Sequence, residues 1–231
     1  MFSQIAYEWP EFATSYNMLF LAQAAGTTLA LSALGVVLGS LLGLALAVTR
    51  TTSGWLLAPL RALAFFFTEI FRRVPFLVTL MLAFFVFQMF LSGTSLFVVA
   101  AVTTTLIAAA FLSEIIRGGL NSVHQNQWEA AQAMNFSLLQ TIRHVILPQA
   151  WRIILPPAFG FFVLFIKDTA LASQIGVVEL TYAGKVLNNK GFSPALAFGA
   201  ILIIYFLISY PLARLGAALE ARLASSRHHR S

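Results

Sequence analysis

The stretch from Leu19 to Val48, LFLAQAAGTTLALSALGVVLGSLLGLALAV, carries no charged side chain over thirty residues. As an α-helix at roughly 1.5 Å per residue it is about 45 Å long, whereas the hydrocarbon core of a bilayer is about 30 Å thick. The run is continuously apolar and lacks the period-two alternation of a transmembrane barrel strand. It therefore predicts a membrane-spanning helix that tilts or protrudes.

Four more apolar runs follow, at about 74–91, 96–116, 157–178 and 192–212. The second and third are separated only by Ser92–Ser95, which fits a tight turn. Each run is close to the roughly 20 residues that a helix needs to cross a bilayer. The sequence thus predicts an all-α, multi-pass membrane protein with five transmembrane helices, and residues 1–231 as a single transmembrane domain.

The composition excludes other classes of protein. Hydrophobic residues make up 59% of the 231 residues and charged residues only 10%, whereas a soluble domain carries about 25% charged residues. Disordered chains are poor in apolar residues, so disorder is excluded as well. The chain has no cysteine, which rules out disulfides and thiolate metal sites, and none of its four histidines lies in a predicted span. We therefore expect no metal site.

Basic residues orient the predicted spans. Eleven of the 14 Lys and Arg residues fall on one side of the membrane: Arg50, Arg61, Arg72 and Arg73 after the first span, Arg117, Arg143 and Arg152 after the third, and Arg214, Arg222, Arg227 and Arg230 after the fifth. Loops rich in Lys and Arg remain cytoplasmic. The N-terminus is therefore predicted outside and the C-terminus in the cytoplasm. This role accounts for the net charge of +6 without a nucleic-acid partner.

The longest hydrophilic stretch, about 117–152, has the pattern of two short helices. Gln127–Met134 consists mostly of good helix formers, and Asn126 is a candidate N-cap. A second helical pattern ends two residues before Pro148. Asn135 lies between them and tolerates the left-handed backbone of a turn. Two interpretations remain open, a segment packed on the membrane surface and a docking site for a soluble partner.

The same stretch carries a recognisable signature. Glu129-Ala130-Ala131 is followed after three residues by Asn135 and after nine more by Val145-Ile146-Leu147-Pro148. This spacing resembles the EAA motif of permease subunits in binding-protein-dependent type I ABC importers. Further segments resemble the histidine/glutamate-type polar amino-acid branch of that family: residues 71–78 (FRRVPFLV), 113–120 (SEIIRGGL), 127–129 (QWE) and 166–171 (IKDTAL).

The resemblance covers roughly residues 19–215, with three departures. Asn126 and Asn135 replace glycines of the motif, and Val145 replaces an isoleucine. Asparagine is the substitution that best retains left-handed backbone geometry, so we expect an intact turn at Asn135.

The resemblance implies a MetI-like permease fold in which 117–152 is a cytoplasmic coupling loop. Its residues 129–145 would dock in a cleft of an ABC ATPase subunit and move the spans as a lever. The ATPase-coupling residues implied are Gln127, Trp128, Glu129, Ala130, Ala131, Asn135, Leu147 and Pro148. The chain has no G-x-x-x-x-G-K-[ST] sequence, so ATP hydrolysis is expected in a separate subunit, with ATP and Mg bound there. The chain is not expected to be an enzyme or to bind a cofactor.

The partners that the resemblance implies are two cytoplasmic ABC ATPase subunits, a second permease subunit and a periplasmic solute-binding protein. The chain would lie in the lipid bilayer of a bacterial inner membrane and pass a polar or charged amino acid. Which amino acid is transported, and whether the second permease is identical or paralogous, stay open.

Two charged residues interrupt the predicted fourth span. Lys167 and Asp168 lie roughly 16 Å along the helix from Pro157, near the middle of the core. A charge there costs at least about 2.5–3.5 kcal/mol. Either the two residues pair with another span, or they line a substrate path. In the second case Asp168 accepts the ammonium of an amino acid, Thr169 adds a neutral contact, and Lys167 meets a carboxylate or balances Asp168.

Two more acidic residues have basic neighbours one helical turn away. Glu114 and Arg117 are three residues apart, so they share a helix face and are predicted to pair as a structural latch near the gate. Glu69 has the same relation to Arg72 and Arg73.

A rival hypothesis is a channel or a secondary transporter driven by a gradient. It would account for Lys167 and Asp168 but leaves the EAA spacing unexplained.

Overall fold

The computed structural model describes residues 2–52 and 54–228, with the side chains of residues 4–52 and 54–223. Arg230 lies outside the described residues, and nothing is described of the side chain of Arg227. Within these ranges the chain is all helical and contains no strand. The α-helices are α1 (Phe2–Phe12), α2 (Ser15–Thr51), α3 (Ala58–Arg73), α4 (Phe76–Phe90), α5 (Leu96–Asn121), α6 (Gln125–Ala133), α7 (Leu138–Thr141), α8 (Leu147–Asp168), α9 (Leu180–Asn189) and α10 (Pro194–His228).

Four helical stretches are long and apolar enough to cross a membrane. They are Ser15–Thr51, Leu96–Asn121, Leu138–Ile175 and Pro194–Leu223. A fifth crossing arises if α3 and α4, bent by 112° at their junction, act as one span. Pro75 causes the bend, because a residue before proline is forced out of the helical region, and Val74 accordingly has ψ 132°. The predicted all-helical membrane fold is confirmed.

The fourth predicted span differs in where its helix begins. The sequence pattern placed a break at Pro148 and the start of the span near Pro157. The structure instead continues from α7 through a π-helical turn, Ile142–Ile146, directly into α8 and then a 3₁₀ segment, Thr169–Ile175. Pro148 directly follows the π-helical turn, and the helix continues past it although proline supplies no N–H. Pro156 and Pro157 lie inside α8, as membrane helices tolerate.

The contacts of the chain group into two units. The first unit comprises residues 1–35, 75–104 and 163–211. Its core has two clusters. One packs α1 and the start of α2 on α9 and α10, through residues such as Phe12, Leu21, Leu180 and Leu187. The other packs Leu31 with Leu80, Val99 and Ile175.

The second unit comprises residues 36–74, 105–162 and 212–231. Its core joins Ala47 of α2 and Leu120 of α5 to Ile142, Ile146 and Ile154. Gly39 and Gly43 let α2 approach α5 closely, since a Cβ on Gly39 would lie 2.6 Å from the Cβ of Ala108. These small residues pack inside the chain.

Candidate functional site

Residues 125–146, here called the hook, fold as α6, a turn, α7 and the π-helical turn. Each helix start is capped by a side chain. Ser137 and Gln140 form a reciprocal capping box, with the Gln140 N–H donating to Ser137 Oγ and the Ser137 N–H donating to Gln140 Oε1. The N-cap of α6 is His124 and not Asn126 as the sequence suggested. Its Nδ1 accepts a bond from the Asn126 N–H at 3.3 Å, so the side chain of Asn126 does not cap the helix.

The turn of the hook is at Asn135, as predicted. Its φ of 57° is left-handed, and no other non-glycine residue within 2–52 and 54–228 has a positive φ. The Phe136 N–H donates to the carbonyl of Ala131 at 3.0 Å, which closes the end of α6. The asparagine thus serves as the glycine of the motif would.

One side of the hook is fixed to the ends of the long helices. Ile142 and Ile146 are buried in the cluster that contains Ala47 and Leu120. The Gln149 side chain donates to Gln127 Oε1 at 3.2 Å and so ties α6 to α8. The hook is therefore packed, and it is not a loose loop.

The other side of the hook is exposed. Glu129 and Ala130 are exposed on α6, and Met134 and Leu139 flank the turn with 60% and 68% of their surface accessible. The remaining coupling candidates divide by burial: Gln127, Asn135 and Pro148 are exposed, Trp128 and Leu147 are half-buried, and Ala131 is buried. Most of the predicted coupling residues are thus accessible, and large apolar side chains of the hook are exposed as well.

A cluster of charges joins α2, α3 and α5. The Arg117 Nη2 donates to Glu114 Oε2 at 2.8 Å, which confirms the predicted contact between these two residues. Arg73 Nη2 lies 2.6 Å from Glu69 Oε2, the other pairing expected from spacing. The sequence did not indicate that Arg50 also pairs with Glu114, because 64 residues separate them. Arg50 further donates to Thr68 Oγ1 at 3.0 Å.

Lys167 and Asp168 close α8, and both side chains are exposed. Neither makes an ion pair or a hydrogen bond with another described residue. Thr169 starts the 3₁₀ segment and is fully buried, with its hydroxyl donating to the Ile166 carbonyl at 2.7 Å. The two charges are thus accessible in this chain, whereas Thr169 is fully buried and can contact a ligand only if the side chains that cover it move.

Sequence reasoning missed a buried carboxylate at Glu179. The side chain is fully buried and accepts bonds from the Tyr182 N–H at 2.8 Å and the Tyr205 hydroxyl at 2.9 Å. The Thr28 hydroxyl contacts it at 3.5 Å and accepts a bond from the Leu180 N–H. Burial raises the pKa of Glu179, although these donors oppose the shift. Its N-cap bond to Tyr182 at the start of α9 is local in the sequence, but Thr28 and Tyr205 lie far away in the chain.

The described residues hold no group of three or more His, Cys, Asp or Glu side chains that could bind a metal ion.

Known proteins match this chain along most of its length. The glutamine transport system permease protein GlnP of Escherichia coli K12 is 34% identical over 205 residues, which cover 88% of this chain and 92% of GlnP. The L-cystine transport system permease protein TcyB of Bacillus subtilis is 33% identical, covering 85% and 83%.

Solved structures agree. A crystal structure of an amino acid ABC transporter with histidines has a chain that matches with a TM-score of 0.79 and 28% identity, covering 89% of this chain and 94% of that one. An inward-facing structure of the MetNI methionine ABC transporter matches with a TM-score of 0.77, 23% identity and coverage of 91% and 99%, and this likeness shows the fold alone. The family model described as binding-protein-dependent transport system inner membrane component matches residues 35–225. The chain belongs to this family of inner membrane components of binding-protein-dependent transport systems.

Proposed function

We propose that the chain is the transmembrane permease subunit of an ATP-driven importer for polar or charged amino acids. The observation that carries this proposal is the form of the hook, a packed helical element with an exposed, partly apolar surface in a member of this transport family. We further propose that the whole chain works as one permease domain in a bacterial inner membrane, with its N-terminus outside.

The hook is the docking element for two cytoplasmic ABC ATPase subunits, one on each of two permease subunits. Met134 and Leu139 supply the apolar contact, and Glu129 supplies a charge at its edge. The ATPase subunits bind ATP and Mg, since this chain lacks the phosphate-binding sequence for them. A periplasmic solute-binding protein delivers substrate to the opposite side.

Amino acids are the proposed substrates because GlnP and TcyB are named for glutamine and L-cystine transport, and a structural relative is an amino acid transporter. Accessible Lys167 and Asp168 suit such a zwitterion, with Asp168 facing the ammonium and Lys167 the carboxylate. Thr169 is a third contact only if the side chains that bury it move away. The helical stretch Leu138–Ile175 carries both the end of the hook and this pair, so the backbone itself connects them.

The docking role is tested by co-purification with a tagged ATPase subunit. Glu129→Lys reverses an exposed charge on the hook, so we expect about tenfold less ATPase to be recovered with the permease. Glu220→Lys makes the same exposed charge change on α10 and serves as the control, with unchanged recovery. Equal recovery for Glu129→Lys and the parent protein, with normal solute uptake, would contradict docking through the hook.

The substrate role is tested in the same preparation by uptake into vesicles. Asp168→Ala removes the proposed ammonium partner, and we expect uptake to fall at least tenfold while the ATPase is still recovered. This separates it from Glu129→Lys, which loses the ATPase. Normal uptake with unaltered preference among amino acids would remove Asp168 from the substrate path.

A further inference from the structure

A cleft of about 430 Å³ lies within the second unit, between α6 and the ends of α2 and α5. The size is that of a small-molecule site in a protein. The residues that matter for its chemistry are Arg50 on α2, Arg117 and Asn121 on α5, and Gln125, Trp128 and Gln132 on α6. Of the predicted coupling residues Trp128 lines the cleft, whereas Glu129 and Ala130 do not.

The side of α6 that faces this cleft carries polar side chains. Gln125, Trp128 and Gln132 are spaced by three and four residues, so they share one helix face. Gln125 and Gln132 are exposed and Trp128 is half-buried, so this face is open to solvent, whereas the buried residue of α6 is Ala131. Here two amides flank an aromatic ring, and neither amide bonds to another described residue. The cleft therefore presents hydrogen-bond donors that the protein itself does not use.

The charges around the cleft do not cancel. Arg50, Arg72 and Arg117 surround Glu114, and Arg72 and Arg73 lie beside Glu69. Of these residues only Arg50 and Arg117 line the cleft, and both pair with the single carboxylate of Glu114, which leaves one positive charge in excess beside the cleft. Arg117 has about one third of its side chain exposed, so part of its guanidinium is accessible from the cleft. An accessible excess of guanidinium charge is what attracts an oxyanion.

We propose that this cleft binds a small oxyanion, a phosphate or carboxylate group, between Arg117 and the amides of Gln125 and Gln132. Arg117 already donates from Nε and Nη2 to Glu114, so it supplies the remaining N–H groups of its guanidinium, and Trp128 forms a flat wall for the rest of the ligand. The bound anion bridges α6 to α5 and holds the hook against the ends of the long helices. The group comes either from a free anion or from the head group of an anionic phospholipid.

The test for a free anion is a titration of the purified full-length protein in neutral detergent. Sodium phosphate is the probe, sodium chloride at matched ionic strength is the reference, and the thermal midpoint is the measurement. A ligand that binds only the folded state raises the midpoint as its concentration exceeds its Kd. We expect such a rise with phosphate. Gln132→Glu places a carboxylate in the cleft and should weaken phosphate binding by about tenfold or more.

Gln140→Glu is the matched control. It makes the same change on the same hook but outside the cleft, and glutamate keeps the acceptor of the capping box. Phosphate binding to this variant should equal that of the parent protein. Equal weakening by Gln132→Glu and Gln140→Glu would show general charge attraction only, and would overturn the proposal.

The second arm identifies the source of the anion. The parent protein and both variants are placed in nanodiscs of phosphatidylcholine with or without phosphatidylglycerol. If phosphatidylglycerol raises the midpoint and Gln132→Glu abolishes the rise while free phosphate has no effect, the ligand is a lipid head group. If neither probe raises the midpoint of the parent protein, the proposal is wrong. No ATPase or transported solute enters these measurements, so their result is separate from the fate of the proposed function.

Discussion

Glu114 is a single carboxylate that faces three guanidinium groups. Arg117 bonds to it at 2.8 Å, Arg72 lies 3.8 Å away, and Arg50 pairs with it from α2. The side chains of Arg50 and Glu114 are only 11% and 17% exposed, so this pair is mostly removed from water. Removing one partner of such a group leaves like charges facing each other without compensation.

We therefore expect Glu114→Gln to destabilise the protein by about 2–3 kcal/mol, a little less than for a fully buried pair. The thermal midpoint in detergent is the measurement. Glu69→Gln is the comparison, because its partner Arg73 is 78% exposed and the loss should stay below about 1 kcal/mol. A midpoint for Glu114→Gln as high as that for Glu69→Gln would show that the cluster adds little to stability.

Glu179 makes the stability of the folded protein depend on pH, and the direction of this dependence follows from its pKa. Burial holds the pKa of this carboxyl above its ordinary value of 4.5, so the folded state binds the proton more tightly than the unfolded state does. Its contribution to stability is present below pH 4.5 and is lost as the pH rises through the folded-state pKa. Glu179→Gln cannot ionise and keeps an acceptor, so we expect the decline of the thermal midpoint over this range to flatten.

Glu8 provides the opposite case. Its carboxylate accepts a bond from the Ser193 N–H at 2.8 Å, which lowers its pKa. The stability from Glu8 is therefore present above its ordinary pKa and lost as the pH falls. Glu8→Gln should change the acidic side of the profile and leave intact the decline assigned to Glu179. Identical profiles for the parent protein and Glu179→Gln would show that Glu179 does not set this dependence.

At the scale of helices, the approach of α2 to α5 depends on a lack of side chains. A Cβ on Gly39 would lie 2.6 Å from the Cβ of Ala108 and 3.1 Å from the backbone N of Ala109. Backbone cannot give way as a flexible side chain can, so α2 and α5 would have to separate. We expect Gly39→Ala to cost about 1–3 kcal/mol, the usual range for overpacking.

Gly26→Ala on the same helix is the control for Gly39→Ala. No atom lies within 4 Å of the position that its Cβ would take, and alanine favours the helix by up to about 1 kcal/mol. Thermal midpoints should thus fall for Gly39→Ala and hold or rise for Gly26→Ala. Equal midpoints would mean that α2 and α5 do not pack this closely.

The helices show which features a sequence can reveal. Long apolar runs indicated an all-helical membrane protein, because burial in lipid needs nearly every side chain of a run to be apolar. The turn at Asn135 was also predictable, since few residue types accept a left-handed backbone. The continuation of the helix through Pro148 was not, because the π-helical turn that precedes this proline leaves no mark in the apolar pattern.

Contacts between side chains were predictable only where the two residues are close in the sequence. Glu114–Arg117 is a contact over one helical turn and was found from spacing, whereas Arg50–Glu114 and Glu179–Tyr205 join residues far apart in the chain. No local pattern marks such partners. The cleft of α6 was missed because its amides acquire meaning only when two arginines from other helices face them.

At the scale of the whole molecule, the apolar surface indicates that the chain is surrounded by lipid and not by water. Large apolar side chains point outward along the long helices, for example Leu41, Phe85, Leu202 and Phe206, each at least 58% exposed. A water-soluble protein would not present so much contiguous apolar surface.

The number of membrane crossings depends on α3 and α4. Their 112° bend fits either one broken span or a re-entrant pair.

Cysteine labelling distinguishes these two topologies, because the chain has no cysteine of its own. Trp55→Cys precedes the bent pair and Ser92→Cys follows it, and both positions are exposed. If α3 and α4 cross the membrane once, a membrane-impermeant maleimide added to intact cells reaches Ser92→Cys and not Trp55→Cys. If the pair is re-entrant, both positions react alike.

Two further positions fix the orientation. Tyr7→Cys on α1 is 87% exposed and should react in intact cells, because the basic loops are expected in the cytoplasm. Met134→Cys in the hook should react only after the membrane is opened, and a docked ATPase should then protect it. Labelling of Met134→Cys from outside would place the hook where no ATPase can reach it, and the docking proposal would be lost together with the orientation.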